Sequence, residues 1–563
     1  MSGGPAGAAP GRRLAWVLAL VASAASASCA GDAPATAGGR AIAVSPWVEH
    51  PASRAPDALP DIVELTAERI MRDYAEGRYT ADQLVRAYLA RIARYERVYN
   101  AFVSLNPDAL AAAAALDEEY RSSGPRGPLH GVPLVIKDNI DYAGLVTTAG
   151  YAGFSAVTGG VDMIADHDAV VVSRLRAGGA IVLGKTNLPD FASDGTRTRS
   201  TVAGVTRNAW SLDRAPGGSS GGTATAVSAS FGALGLGTET GGSIQNPAAA
   251  QGLVGVTPTF GLVPLAGVVP VDPTYRDVVG PITRTVWDAA LVLDVIAGPT
   301  SEDPRTAGPA GRIPEGGYAA ALEGSALAGR RFGLIGPGWR EQYLPLAPET
   351  ERLYRLAISA LRERDAEVVE DPFAGSEWRE RYARRRSAPG VGDADLRAYL
   401  ERLGPGAAFH SVEEWERLTG RSFRGAIGEP DARRRPPGDP GARGAFGVWQ
   451  REMRALFRRV LAEYELDGLF FPQAGGPVRP LVEDPDRPDY SPNNHPELPS
   501  NIVNYVGLPV VTLPVDYYAD GMPFVVAFIG EPWSEAALLA FAYDLEQATR
   551  ARRAPALATD TIR

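Results

Sequence analysis

The sequence predicts an α/β protein in which helices cover a β-sheet. Three observations point there. Short apolar runs of strand length recur along the chain: PLVI at 133–136, AIVLG at 180–184, FGLIG at 332–336, GLFFP at 468–472, PVVTL at 509–513 and FVVAFIG at 524–530. Helical patterns alternate with them. The 563 residues, 45% apolar and 22% charged, suffice for a large buried core and lie far from a disordered composition.

Taken in order, residues 1–29 read as an export leader. Arg12 and Arg13 supply a basic start, LAWVLALVA from Leu14 an apolar stretch too short to span a bilayer, and SAASAS a run of small residues before Cys29. Cys29 stands where a lipoprotein signal would be cut and its cysteine lipidated, although Ser26 holds the place usually taken by Leu or Val. The alternative is an ordinary secretory signal cut near Ala27. The expected location is exported, periplasmic or at the cell surface, with membrane attachment by lipid where Cys29 is modified. Cys29 is the one cysteine of the chain, so neither a disulfide framework nor a thiol nucleophile is available to the body of the protein.

Residues 30–57, rich in Ala, Gly, Pro and Ser, read as a tether, and residues 58–555 as the folded domain. A helical pattern starts at Asp61 and runs through IVELTAERIMRDYAEG. Thr80 and Gln83 form a capping box opening LVRAYLARIARY, where Leu84, Tyr88 and Ile92 recur every four residues. Lys137 and Lys185 each stand just past an apolar run, and functional groups of open α/β sheets gather beyond strand ends. Residues 372–447, with Arg runs at 384–386 and 433–435 and the stretch PPGDPGARG, read as a helical or loop insertion with solvated arginines. Ser534 is the expected N-cap of EAALLAFAYDLEQATR. No internal repeat and no Cys/His metal spacing is evident, and no metal or organic cofactor is expected.

A net charge of −10 repels a phosphate backbone on average, so nucleic acid is not an expected partner and a small molecule is. Two glycine-flanked serines stand out: Ser219 in GGSSGG and Ser243 in TETGGS, 24 positions apart. A serine hydroxyl needs a base. Histidine is the usual one, but neither serine lies in a Gly-x-Ser-x-Gly elbow, and GGSSGGTA lacks the Gly-Lys-Ser/Thr end of a phosphate loop. A desolvated lysine can serve, whereas arginine does not deprotonate. Of the 56 lysines and arginines only Lys137 and Lys185 are lysine. A chain that writes Arg almost everywhere has a reason for Lys137 in VIKDN, unless it merely pairs with Asp138.

The run from Gly217 to Val263, GGSSGGTATAVSASFGALGLGTETGGSIQNPAAAQGLVGVTPTFGLV, resembles the amidase signature family of serine hydrolases. So do HGVPLVIKDNI and GKTNLPDFA before it and VGPITRTVWDAALVLDVIAG after it. NYVGLPVVTLPVDYYADGMPFVVAFIGEPWSEAALLAFAYDLEQA extends the likeness over most of residues 60–550, the 372–447 region excepted. The resemblance implies the amidase-signature fold, a large mixed β-sheet sandwiched between layers of α-helices. It also implies Ser243 as nucleophile, Ser219 as a bridging serine after a cis bond from Gly218, and Lys137 as general base. Lys185 then reads as structural and His130 as a packing residue. By the same likeness the N–H groups of Thr240, Gly241, Gly242 and Ser243 form an oxyanion hole, and Ser220 supports the Ser219 loop.

Gln245, Asn246 and Thr257 depart from the family pattern, which commonly has Arg and an apolar residue at the first two and Lys at the third. The implied activity is hydrolysis of a small-molecule amide to acid plus ammonia or amine, through a Ser243 acyl-enzyme. An esterase, aryl acylamidase or carbamate hydrolase on the same residues is the nearest alternative, and a non-catalytic binding protein keeping the fold a further one. A subunit that transfers amide nitrogen on transfer RNA shares the signature, but the leader and the acidic balance speak against it. The acyl pocket is expected to draw on the 372–447 insertion and the loop around YSPNNHPELPSN.

Overall fold

Eleven of the thirteen strands among the described residues join in a single mixed sheet. The computed structural model describes residues 59–308, 311–385, 388, 390–423, 440–483 and 497–557. The leader, Cys29 and the tether lie outside them, as do residues 424–439 of the expected insertion and most of the 490–501 loop. The strands are β1 (Phe102–Leu105), β2 (Pro133–Lys137), β3 (Ile181–Thr186), β4 (Arg199–Ser200), β5 (Gly204–Val205), β6 (Leu234–Glu239) and β7 (Val254–Thr257). They continue with β8 (Val278–Thr283), β9 (Arg331–Leu334), β10 (Glu367–Val369), β11 (Gly468–Pro472), β12 (Val510–Tyr517) and β13 (Pro523–Ile529). The sheet runs β1-β3-β2-β6-β8-β7-β12-β13-β11-β9-β10, with β4 and β5 paired apart from it.

Strands β2, β3 and β6 are buried at every position, as strands covered on both faces must be, which explains the apolar runs of β2 and β3. β2 lies parallel to both β3 and β6, with Leu134 opposite Leu234 and Ile136 opposite Leu236. The C-terminal ends of β2 and β6 therefore emerge side by side, where the connection leaving each strand is free to carry chemistry. β6 then pairs antiparallel with β8, and β8 with β7, which makes the sheet mixed.

Helices pack on these strands. The helix Gly221–Ser228 lies on β2 and β6, Val286–Ile296 on β8, and Glu535–Thr549 on β12 and β13. The capping box of Thr80 and Gln83 is formed in both directions at the start of Ala81–Tyr99. Two expectations are corrected. The first helix begins at Ala67, not Asp61: Thr66 caps it by accepting from Arg69 N, and Glu64 at φ +55° turns the chain beforehand. Ser534 stands at the expected cap position, but its hydroxyl makes no cap hydrogen bond to Glu535–Thr549.

The region between 372 and 447 carries the helices Trp378–Ala383, Asp393–Arg402, Val412–Thr419 and the start of Pro440–Glu463. It builds a second apolar core with residues 149–165, in which Phe154 and Met163 meet Leu400, Phe409, Trp415 and Phe423. Polar anchors set the register of that core: Trp415 Nε1 donates to Gly153 O (3.1 Å) and Tyr399 Oη to Asp141 Oδ1 (2.9 Å).

Candidate active site

Lys137 is the last residue of β2 and is fully buried. Its Nζ lies 2.8 Å from Ser219 Oγ, 2.9 Å from Thr238 Oγ1 and 3.1 Å from Thr238 O. Thr238 sits near the end of the neighbouring β6, so the parallel pairing of β2 and β6 is what brings the lysine to its acceptors. The three partners satisfy an ammonium with three donors. They equally satisfy a neutral amine that gives two N–H groups to Thr238 and takes the Ser219 proton on its lone pair. Burial pushes the Lys137 amine down to about 7, against the pull of the Glu239 and Asp277 carboxylates, which favour the charged form.

Ser219 and Ser220 are fully buried, and the Gly218–Ser219 peptide bond is cis. Position 218 admits only glycine: a Cβ there would stand 2.4 Å from Asp194 O and 2.7 Å from Arg197 O. Gly218 N donates to Gly195 O (3.1 Å), which also accepts from Asn246 Nδ2 (3.3 Å). One carbonyl thus ties the Ser219 loop to the segment after Ser243. Ser220 adds a second tie, with its N donating to Ser243 O (3.2 Å) and its Oγ to Thr238 O (3.1 Å).

Ser243 retains 8% exposure, and among the described residues its hydroxyl has no hydrogen-bond partner. Gly242 before it takes φ +111°, and a Cβ there would meet Asn246 Nδ2 at 2.7 Å. Among the described residues the N–H groups of Thr240, Gly241, Gly242 and Ser243 find no protein acceptor, which leaves four consecutive donors at one turn. Asp277 steadies that turn by accepting from Thr240 Oγ1 (2.6 Å) with one oxygen and from Val271 N and Asp272 N (2.8 Å each) with the other.

Lys185 is placed elsewhere. Its Nζ pairs with Asp138 Oδ1 (2.9 Å) and donates to Val146 O (3.0 Å) and Thr147 Oγ1 (2.6 Å), all in the interior. Asp138 is therefore the partner of Lys185, not of Lys137. His130 accepts from Arg126 N through Nδ1 (2.9 Å), and its ring lies tilted against that of Tyr120, with no bond to either serine among the described residues. Three residues that sequence reasoning did not single out surround the lysine: Thr238, Glu239 and Asn139, whose Nδ2 donates to Thr238 Oγ1 (3.0 Å). Two of them lie inside the TETGGS motif itself, beside the glycines and serine that mark it.

A cavity lined by Phe154, Phe191, Val269, Leu396, Tyr399 and Phe423 opens within the second apolar core. Two of its lining residues are linked to the site through neighbouring segments. Val269 N donates to Asn139 O (2.9 Å), and the segment following Phe191 supplies the carbonyls of Asp194 and Arg197 that back Gly218.

The sequence profile of the Amidase family matches residues 83–539. A glutamyl-tRNA(Gln) amidotransferase subunit from Symbiobacterium thermophilum is 34% identical over 513 residues, covering 88% of this chain and 99% of its own length. The corresponding protein of Chloroflexus aggregans is 34% identical over 495 residues, 84% of this chain and 94% of that one. Among solved structures, the peptide amidase from Stenotrophomonas maltophilia is 34% identical and superimposes with a TM-score of 0.72, covering 88% of this chain and 99% of that one. A 6-aminohexanoate cyclic dimer hydrolase, 23% identical with a TM-score of 0.69, shares the fold over 88% of this chain and 99% of its own.

These relatives overturn the location expected from the N-terminal segment. Proteins matched over 84% and 88% of the chain carry the name of a transfer-RNA amidotransferase component, not of an exported, periplasmic or lipid-anchored protein. Among the described residues no helix is long and apolar enough to cross a membrane. The leader therefore no longer separates this chain from such amidotransferases.

Proposed function

We propose that this chain, which belongs to the amidase signature family, hydrolyses carboxylic amides through an acyl-enzyme on Ser243, with Ser219 and Lys137 carrying the proton. One observation carries the reading: a fully buried Lys137 amine, lowered to about 7, lies 2.8 Å from Ser219 Oγ, in a loop bonded to the Ser243 backbone. In the first half-reaction the neutral amine takes the Ser219 proton as Ser219 takes that of Ser243. Ser243 Oγ bonds to the substrate carbonyl carbon, and the carbonyl oxygen gathers negative charge. The free N–H groups of Thr240, Gly241, Gly242 and Ser243 receive that charge, each such donor being worth about 3–4 kcal/mol in a dry site. The proton held on Lys137 then returns through Ser219 to the leaving nitrogen as the C–N bond breaks. Water repeats the sequence on the acyl-enzyme, releasing the acid and restoring Ser243.

An aromatic and aliphatic cavity of this kind suits the apolar side of an acyl group, and its lining comes partly from residues 391–423 of the expected insertion. The preferred substrates are thus amides of aryl- or alkyl-bearing acids. Matched amide, ester and carbamate derivatives of one such acid, compared by kcat/KM, test the bond preference. An amide rate far below the other two assigns an esterase or carbamate hydrolase instead.

A second reading, amide-nitrogen transfer, is favoured by the 34% identity to the glutamyl-tRNA(Gln) amidotransferase relatives, equal to that with the peptide amidase. It requires release of ammonia from glutamine. Activity on glutamine above that on apolar-acid amides would establish it, and absence of any turnover on either would leave a binding protein with this fold.

A further inference from the structure

Glu239 ends β6, one residue past the Thr238 that takes two hydrogen bonds from Lys137, and is only 1% exposed. Its carboxylate accepts five hydrogen bonds. Oε2 takes Ile244 N (2.6 Å) and Gln245 N (3.0 Å), while Oε1 takes Gln245 Nε2 (2.5 Å), Asn504 Nδ2 (2.6 Å) and Thr257 Oγ1 (3.0 Å). Five donors and no acceptor suit the ionised carboxylate, which can only accept. Every donor is neutral, and among the described residues no arginine or lysine forms a salt bridge to Glu239. A buried anion normally finds a cation. Two of the three side-chain donors, Gln245 and Thr257, stand at positions where this sequence departs from its family's pattern.

The charged groups facing Lys137 are few. Glu239 approaches from β6 and Asp277 from the segment before β8, and both favour the ammonium form. Asp277 spends its charge on Thr240 Oγ1 and two backbone N–H groups and lies near Arg276, which pairs with Asp272. Asp138, next to Lys137 in sequence, is already paired with Lys185. Glu239 is left as a carboxylate whose five hydrogen-bond donors are all neutral.

We propose that Glu239 is a positioning residue that serves the site twice. It locks the turn after Ser243 through Ile244 N and Gln245 N, and it supplies the fixed negative charge that stabilises the Lys137 ammonium formed when Ser243 attacks. This rests on the relay described under the proposed function. The proton leaving Ser243 Oγ arrives on Lys137 Nζ, so positive charge appears opposite Glu239 at the moment negative charge appears at the substrate oxygen. Burial alone would make Lys137 neutral but too reluctant to hold a proton. Glu239 offsets part of that penalty without joining the relay.

The test follows the rate at which a fluorophosphonate labels Ser243 as a function of pH, in the wild type, Glu239→Gln and Gln245→Arg. Glu239→Gln removes the charge. Gln245→Arg keeps a donor toward Glu239 and gives the carboxylate a cation, a route that stays open if the first variant does not fold. In both, the acid limb is expected to move to lower pH by about 0.5–1 unit, because Lys137 loses the field that favoured its ammonium form. The plateau at high pH should fall at least about tenfold in Glu239→Gln, since the transferred proton is less well held. Because the chain has two lysines, selective 13C-lysine labelling reads the same titration without catalysis, Lys137→Ala assigning the signal. An acid limb and lysine titration that stay in place, or move upward, in the folded variants overturn the proposal. Absence of Ser243 labelling in the wild type refutes the relay instead, so the two failures are distinct.

Discussion

Ser219→Ala removes one hydroxyl at the centre of the proposed relay. Ser219 is fully buried, and its Oγ lies 2.8 Å from Lys137 Nζ, which keeps Thr238 O at 3.1 Å and Thr238 Oγ1 at 2.9 Å after the change. The structural consequence is therefore small: one hydrogen bond of a group that retains two, worth about 1 kcal/mol of stability. The chemical consequence is large, because Ser243 loses its route to the base. General-base assistance of this kind contributes roughly 10²–10⁴-fold, equivalent to about 2.7–5.5 kcal/mol in the barrier. The assay is ammonia release from a primary amide of an apolar acid at about pH 8.5, where Lys137 is neutral, paired with urea unfolding of the same preparation. A folded variant whose kcat/KM stays within about threefold of wild type would refute the relay, since a bystander serine costs no more than its hydrogen bond.

In the wild type, kcat/KM should rise with pH through about 7 and level off above it: burial lowers Lys137 to about 7, and only the neutral amine accepts a proton. A profile that falls between pH 7 and 9 in the folded enzyme contradicts this. Asp138→Asn removes the carboxylate paired with Lys185 in the interior and should cost about 3–5 kcal/mol in urea unfolding, whereas a loss below about 1 kcal/mol would show the pair to be dispensable. Leu396→Trp should fill the cavity and lower kcat/KM at least about tenfold for an aryl-bearing amide while sparing an acetamide-sized one. Equal losses for both would place the acyl group elsewhere.

Much of the site is visible in the sequence for a specific physical reason. A chain that uses arginine almost throughout leaves two lysines, and the parallel β2, β3 and β6 carry both to strand ends near buried hydroxyls. Which lysine meets a serine depends on a contact 82 residues apart in sequence, between Lys137 and Ser219, and spacing alone does not reveal it. Asp138 shows the limit: adjacency suggests a pair with Lys137, yet alternation along the chain sends its carboxylate to Lys185. Glu239 stays hidden for the opposite reason, since its donors come from separate places in the chain, at 244–245, 257 and 504.

Among the strands, β11 is legible as an unbroken apolar run, but β6 reads LGLGTE and glycine obscures a strand whose small residues admit the packed Ser220 loop. Periodicity places the first helix too early because Ile62 and Leu65 fit the helical spacing while Glu64 at φ +55° breaks it. The helices Asp393–Arg402 and Val412–Thr419 fall in a region legible only as a helical or loop insertion, because their seat against residues 149–165 rests on long-range bonds such as Tyr399 to Asp141.

The relay is tested most directly by treating the folded protein with a fluorophosphonate and locating the adduct by peptide mass spectrometry, in the wild type and in Lys137→Ala. The account predicts an adduct on Ser243 in the wild type, with labelling slowed at least about a hundredfold when Lys137 is removed. An adduct on another serine, or one on Ser243 formed equally fast without Lys137, would contradict it.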